Sequence, residues 1–440
     1  MANSLITPGS VQKLQTALHA KAKESPGFRF HALYDKVYRK DILRFAYDCS
    51  KANGGAAGVD QQKLEDIEAY GAERWLDELG QELKDRTYRP LPVRRVYIPK
   101  ADGKTQRPLG IPAIRDRVAQ MAAVLVLEPI FEADLQAEQY GYRKDRSALD
   151  AVRHVQRLID AGHEEIVDAD LSSYFDEIPH AELLKSVARR VVDGAMLHLL
   201  KMWLEAPVEE TDDRGNKRQS TANRDRGRGT PQGSPISPLL SNLYMRRFVL
   251  GWKRLGHEKC FGAYIVNYAD DMVICCRRGA EPALAVMRTM MSKLKLTVNE
   301  TKTRVCHLPE EQFDFLGYTF GRCYSPRTGK AYLGIAPSRK RVQRLCQAVS
   351  EITRRQSTQQ DAETMVGTLN RKLLGWSNYF RLGSVSKAYR AVEQHTIRRL
   401  RQWLCAKHQV AGQGTGRFSD ATLHLKFGLL RLAQRTSSLP

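Results

Sequence analysis

The chain is short of several features that would narrow its class. Its eight cysteines include no C-x-x-C pair, so zinc ribbons and knuckles are not expected. Cys405 and His408 stand three apart with no second pair beside them, and one pair does not make a tetrahedral site. In a chain of 440 residues such cysteines read as reduced, buried residues of an intracellular protein. No apolar run approaches the ~20 residues of a membrane span. The first residues have no apolar signal core and no arginine before Arg29. That argues against a leader peptide, and the cytoplasm is the expected compartment. No internal repeat is visible. Acid is also in deficit: 49 Asp and Glu face 70 Lys and Arg, a formal charge of +21. This excess points away from small metabolites and toward a long polyanion, nucleic acid above all.

What is present suits a packed protein of about two or three domains. Apolar residues make up 42% and charged residues 27%, which is ordinary for a globular core. The charge is uneven. Residues 337–440 hold 19 Lys and Arg against 5 Asp and Glu, whereas residues 1–336 hold 51 against 44. The basic end also carries helical periodicity. Val342, Leu345, Cys346, Val349 and Ile352 repeat at three and four, followed by Met365, Leu369, Leu373 and Trp376, then Val385, Tyr389, Val392, Thr396, Leu400 and Trp403. Three amphipathic helices with basic outer faces are predicted, a module that grips phosphates.

Upstream, residues 10–50 and 61–87 read as helices around the Gly-rich loop Ser50–Asp60. Residues 93–98 and 107–111 read as a basic β-hairpin turning at Asp102-Gly103. Helices are predicted over 113–132, 147–161, 238–250 and 281–295, and strands over 165–171 and 313–320. Glu209–Gly229 reads as an exposed hairpin or loop.

Asp170 ends an apolar strand, and Asp270-Asp271 sit between Tyr264-Ile265-Val266 and Met272-Val273-Ile274. They can be read as exposed turn acids, but acids embedded in apolar strands need partners. Two hairpin-like halves of one sheet would bring these carboxylates to a common edge. Three converging carboxylates suit two Mg²⁺ ions. Such a pair serves in-line phosphoryl displacement, which relies on positioning and charge neutralisation.

At this point the chain resembles the reverse transcriptases encoded within group II introns. The resemblance runs in order through Tyr97-Ile98-Pro99-Lys100 with Arg107-Pro108-Leu109-Gly110-Ile111-Pro112, then Tyr140-Gly141-Tyr142-Arg143 with Ser147-Ala148. Asp168-Ala169-Asp170-Leu171 with Tyr174-Phe175-Asp176 follows, then Gly229 to Leu240 (GTPQGSPISPLL) and Tyr268-Ala269-Asp270-Asp271. Asn299, Lys302-Thr303 and Phe315-Leu316-Gly317 complete it. The resemblance implies an α+β, right-hand polymerase: fingers, a palm with an antiparallel sheet, and a helical thumb. It implies an N-terminal extension over 1–64, with Asn53-Gly54-Gly55 to Gly58-Val59-Asp60 in its capping loop. Fingers and palm would span 65–336 and a thumb or maturase unit 337–404. Residues 405–440 would form a short basic tail, a candidate DNA-binding region.

By the same resemblance Asp170, Asp270 and Asp271 are the metal-binding and catalytic triad, with the Leu171 carbonyl as a further ligand. Asp168 and Asp176 are read as structural or solvated. Phe175 falls where the family places the residue beneath the sugar, where an aromatic ring would exclude a 2′-hydroxyl. Lys100 and Arg107 are the matches for triphosphate-binding residues on the hairpin. Arg94, Arg95 and Arg115 are candidate template contacts. Gln232 and Gly233 would approach the nucleotide or template, glycine allowing close backbone contact. Lys302 is a candidate proton donor to pyrophosphate, or an exposed salt-bridging lysine.

Leu369-Asn370 and Leu374 to Phe380 (LGWSNYF) resemble the maturase segment, with Arg371, Lys372, Trp376 and Arg381 as candidate RNA contacts. Residues 401–440 have no paired cysteines or histidine cluster of a nuclease domain. The implied cofactors and substrates are two Mg²⁺ ions and deoxynucleoside triphosphates. The implied partners are intron RNA, RNA template and DNA primer or target DNA. The remaining alternatives are a retron, defence or CRISPR-associated reverse transcriptase, or a maturase with vestigial polymerase activity. The charge predicts RNA affinity that falls roughly a thousandfold between about 50 and 200 mM salt, as expected for some six phosphate contacts. A salt titration of RNA binding checks this, and a flat response contradicts it.

Overall fold

A computed structural model describes residues 5–99, 106–212, 214–325 and 328–436. The architecture is mixed α/β, with three sheets among the described residues. The predicted 10–50 helix is two long pieces, Gly9–Glu24 and Lys40–Asn53, with a short Tyr34–Val37 turn of helix between. Ser25-Pro26-Gly27 interrupts it, since proline lacks an N–H and glycine loses most entropy in a helix. The 61–87 helix likewise splits into Leu64–Tyr70 and Ala72–Lys84 at Gly71, whose φ is +103°. The helix Ile114–Glu132, apolar nearly all round, lies buried beneath them, as such a pattern requires.

The central sheet is antiparallel, in the order Ala263–Tyr268, Asp271–Cys276, Glu165–Asp170, Arg304–His307. Both of its faces are covered. Met272, Ile274 and Cys276 pack into a core shared with the Ile114–Glu132 and Ser237–Arg254 helices. Val273 and Cys275 pack on the other side with the Ala148–Asp160 helix. That accounts for an unbroken apolar run where a one-sided sheet would alternate.

The second sheet begins as the predicted basic hairpin, Val93–Pro99 with Gln106–Ile111. Parallel pairing of Val93 with Val208 extends it into a further hairpin, Val208–Thr211 with Lys217–Ser220. The third sheet corrects the 313–320 strand. Leu316 and Gly317, with φ of +50° and +86°, turn the chain between Phe313–Phe315 and Tyr318–Tyr324. A third strand, Ala331–Pro337, pairs beside them.

The basic end forms the three predicted helices, Arg339–Ile352, Ala362–Tyr379 and Ser386–Lys407. The segment after residue 404 was expected as a separate tail, yet it shares their core. The last helix runs past that boundary, and Phe418, Leu423, Leu429 and Leu432 are buried with Leu369, Leu400 and Trp403. Asn370 clamps it by donating to the Gly428 carbonyl and accepting from the Leu430 N–H, each at 2.8 Å.

One buried carboxyl ties the hairpin sheet to the helices. Asp116 accepts from the Tyr88 hydroxyl at 2.6 Å and the Leu91 N–H at 3.0 Å, and Trp203 donates to Tyr88. Burial raises the Asp116 carboxyl to about 6, against the pull of those hydrogen bonds and of Arg115. The folded chain therefore keeps a proton that the unfolded chain loses between about pH 4 and 6, so this group's contribution to stability falls as pH rises through that window. The stability of Asp116→Asn relative to the parent should shift in the variant's favour from pH 4 to 6, by about 3 kcal/mol at most. Urea denaturation at both pH values checks this.

Candidate active site and nucleic-acid interface

Asp170 is the last residue of its strand and lies directly opposite Asp271, the first residue of the adjacent antiparallel strand. Asp270 occupies the tight turn between Tyr268 and Asp271, which are themselves paired. The three acids therefore gather at one end of the sheet, where the apolar cover stops. The turn is strained and braced. Ala269 has φ +58°, a conformation uncommon without glycine. The buried Asn267 amide donates to the Ala269 and Asp271 carbonyls at 2.8 and 3.3 Å. Gly141 lies so close that a Cβ there would stand 2.4 Å from the Ala269 nitrogen. The Gly141 carbonyl is in turn fixed by Asn242 at 2.7 Å. The spacing of the acids revealed none of these bracing residues, although Gly141 lies within a motif already noted.

Asp170 is clamped from the far side. Its Oδ2 accepts from Asn299 Nδ2 at 3.0 Å and Lys302 Nζ at 3.2 Å, and its N–H donates to Thr303 at 3.2 Å. Lys302 is exposed and salt-bridged to this carboxylate. Leu171 forms an antiparallel bridge with Val298. The flanking hydrogen bonds run through the Asp170 carbonyl and the Ser172 N–H, and the Leu171 carbonyl takes no part in them. Asp168 lies across from Arg304 and pairs with it at 3.8 Å, an adequate structural role. Asp176 is held weakly by Gln232, at 3.4 Å.

The nucleotide candidates meet above this edge in part. Phe175 packs edge-on against Tyr142, with centroids 6.4 Å apart. Tyr142 is half exposed and close enough to Asp270 and Asp271 to feel their charge; its motif was noted in the sequence, but no site role was assigned to it there. Arg107 acts electrostatically on both Tyr142 and Asp271, so its charge reaches the acids. Lys100 lies outside the described residues. Gly233 serves a different contact from the expected one: with φ +111°, a Cβ would stand 2.5 Å from the Gly110 carbonyl. Together with the Gly110 N–H donating to the Gln232 carbonyl at 2.6 Å, this seats the Gln232 loop on the hairpin.

The nucleic-acid candidates divide. Arg94 and Arg95 lie in the first strand of the hairpin, their Nε atoms buried and without a hydrogen bond, and the Arg95 Nε stands 3.9 Å from Glu210. Arg115 is already engaged, ion-paired to Glu82 and stacked on Tyr88, so it is not a free template contact. Arg371, Lys372 and Arg381 are exposed. The Trp376 ring is packed against Phe380 and Tyr389, with centroids at 4.9 and 5.7 Å. It bridges two apolar cores while itself partly buried.

Among the described residues no three His, Cys, Asp or Glu side chains stand close enough to make a finished metal cluster. The donor set nevertheless suits a hard divalent cation. It is all oxygen, and its negative charge is under-compensated. Burial, then Asp270, Asp170 and Asp168, raise the Asp271 carboxyl to about 6, opposed only by Arg107. A cation at this edge would reverse that repulsion, as the Lys302 ammonium does for Asp170.

A strand-end acid facing a hairpin of acids beneath a basic hairpin is the arrangement of a nucleic-acid polymerase. Residues 98–320 match the family model described as reverse transcriptase (RNA-dependent DNA polymerase), and residues 342–418 match the group II intron maturase-specific domain. The chain therefore belongs to the group II intron-encoded reverse transcriptase/maturase family. It is 32% identical to protein YkfC of Escherichia coli, over 70% of this chain and 87% of that one. It is 35% identical to the group II intron-encoded protein LtrA of Lactococcus lactis, over 66% of this chain. The match spans only 56% of LtrA's own length. A solved partial Cas6-RT-Cas1–Cas2 complex aligns at 22% identity over 59% of this chain and 42% of that one, with a TM-score of 0.35, too slight to bear on the fold.

Because Gly141 abuts the turn, Gly141→Ala must displace Asp270. An ångström of misplacement in such a site costs about a hundredfold in rate. Primer extension should fall by that order while RNA binding is unchanged, as parallel activity and binding assays would show.

Proposed function

We propose that this reverse transcriptase works as a right-hand polymerase. In this reading the carboxylate-bearing sheet is the palm, the basic hairpin sheet with the N-terminal helices forms the fingers, and the helical end is the thumb and maturase surface. The observation that carries it is Asp170 facing Asp271 across adjacent strands with Asp270 in the connecting turn. The template is intron RNA and the primer is DNA, with deoxynucleoside triphosphates as substrates. Asp170, Asp270, Asp271 and the Leu171 carbonyl would hold two Mg²⁺ ions. When bound, Mg²⁺ lowers the pKa of the primer 3′-hydroxyl and neutralises the leaving pyrophosphate.

The chain's own residues do the rest. Asn299 and Lys302 fix the Asp170 carboxylate in one rotamer, so little reorganisation is left for the reaction. Arg107, whose charge reaches the acids, meets the triphosphate, with Lys100 as its proposed companion. Phe175, braced by Tyr142, forms the floor beneath the sugar and leaves no room for a 2′-hydroxyl. Lys302 stands within reach of Asp170 and carries the proton for the departing pyrophosphate. Arg94 and Arg95 hold the template, while Arg371, Lys372 and Arg381 hold intron RNA by its phosphates, the usual way folded RNA is recognised. Binding along the basic helices assists folding, splicing and mobility of the intron.

Asp270→Asn, which keeps the turn and removes the charge, should lower cDNA synthesis roughly a thousandfold or more, the scale of losing metal-assisted charge stabilisation. RNA affinity should be unaffected. Full extension of a DNA primer on an RNA template by this variant would overturn the triad assignment.

A further inference from the structure

A second basic site lies away from the carboxylates. A recess of about 160 Å³ opens between the His180–Ala188 and Ser237–Arg254 helices, walled by Phe131 and Leu243. Lys185, Arg189, Arg246 and Arg247 line it. It shares no residue with the carboxylate edge, the basic hairpin or the proposed thumb surface.

Its cations outnumber its anions. Glu182 is divided among Lys185 and Arg247 at 3.3 Å and Lys295 at 3.8 Å. Asp134 is taken by the buried Arg190 at 3.3 Å. The Ser237–Arg254 helix contains no acid. Arg246 donates its Nε to the Asp134 carbonyl at 2.6 Å, but neither it nor Arg189 has a carboxylate at ion-pair distance among the described residues. Burial disfavours the charged Arg246; Asp134 favours it, and Arg189, Arg254 and Arg190 oppose it again. Crowded guanidinium groups with spare donors are an incomplete arrangement that an oxyanion completes, and guanidinium forks match phosphate oxygens in pairs.

The charge of the recess sets the ligand class. A phosphate fits within its volume against the apolar walls of Phe131 and Leu243. The reading of this chain as an RNA-binding reverse transcriptase/maturase, on which this inference rests, favours a phosphate that belongs to RNA passing over the surface. The exposed Lys185 and Arg189 on the rim would meet that RNA's neighbouring phosphates. We propose that this recess seats a backbone phosphate of folded RNA held outside the polymerase cleft, with Arg246 and Arg247 gripping the phosphate and Lys185 and Arg189 its neighbours.

The test fills the cleft first. The full chain is loaded with a short RNA template and a chain-terminated DNA primer plus the next nucleotide, and binding of a labelled RNA hairpin of about 30 base pairs is then measured over a salt series. Arg246→Gln with Arg247→Gln should weaken this second binding roughly tenfold. The slope of log affinity against log salt should fall by about one, for the one phosphate that the two arginines share. Lys185→Gln with Arg189→Gln, exposed and unable to disturb the core, should lower affinity and slope in the same direction. Arg246→Lys with Arg247→Lys should restore most of the binding. Extension of the short template–primer should stay at the parent rate throughout. Parent-like second binding and slope in both glutamine pairs would overturn the proposal. So would a loss seen only for phosphatidylglycerol vesicles, or a glutamine pair at 246 and 247 that merely lowers Tm while the rim pair changes nothing.

Discussion

Three carboxylates of like charge share one end of the central sheet, and the residues around that end are arranged by this constraint. Their repulsion is visible in Asp271, whose carboxyl is raised to about 6 by burial and by Asp270, Asp170 and Asp168. A sheet covered on both faces tolerates such acids only at its end, where the apolar cover stops. The central strand shows this directly: Met272 to Cys276 are all buried, while Asp271 at its start reaches solvent from a strand end crowded enough to desolvate its carboxyl in part. The apolar run makes the edge rigid, and the edge makes the acids converge.

Holding the acids then falls to neutral and cationic side chains around them. Asn267 braces the turn from within, and Asn299, Lys302 and Thr303 clamp Asp170 from a separate loop. The Lys302 ammonium supplies one positive charge and Arg107 another. Glycine is required where backbones must nearly touch. Gly141 does this beneath the turn and Gly233 between the Gln232 loop and the hairpin.

The overall charge of +21 acquires three addresses. Part lies on the hairpin above the acids, part on the helical end, and part in the recess between the His180–Ala188 and Ser237–Arg254 helices. The helical end is joined firmly to the catalytic part. Trp376 belongs to the cores on both sides, and Gly383 passes so close to Ile335 that a Cβ would stand 2.2 Å from its carbonyl. A rigid connection of this kind lets one surface hold RNA while the other copies it.

Motifs whose chemistry is local were legible in the sequence. Asp170, Asp270 and Asp271 stood out because acids inside apolar strands are anomalous, and the three basic helices because a period of 3.6 survives in any context. Helix breaks at Pro26 and Gly71, and the turn at Gly317, were carried by single residues that a long periodic window averages over. Charge and aromaticity do not reveal a partner: Glu82 and Tyr88 engage Arg115, and Phe380 and Tyr389 pack on Trp376, whose aromatic neighbours the sequence already favoured as core. The residues after 404 read as a tail because four spaced apolar positions declare no core until Leu369, Leu400 and Trp403 meet them. The sequence by itself determined which acids the sheet edge carries and the excess of cations that suits a polyanion. Only the tertiary structure decided which cations are already paired and which remain open to phosphate, because pairing depends on distances between residues far apart along the chain.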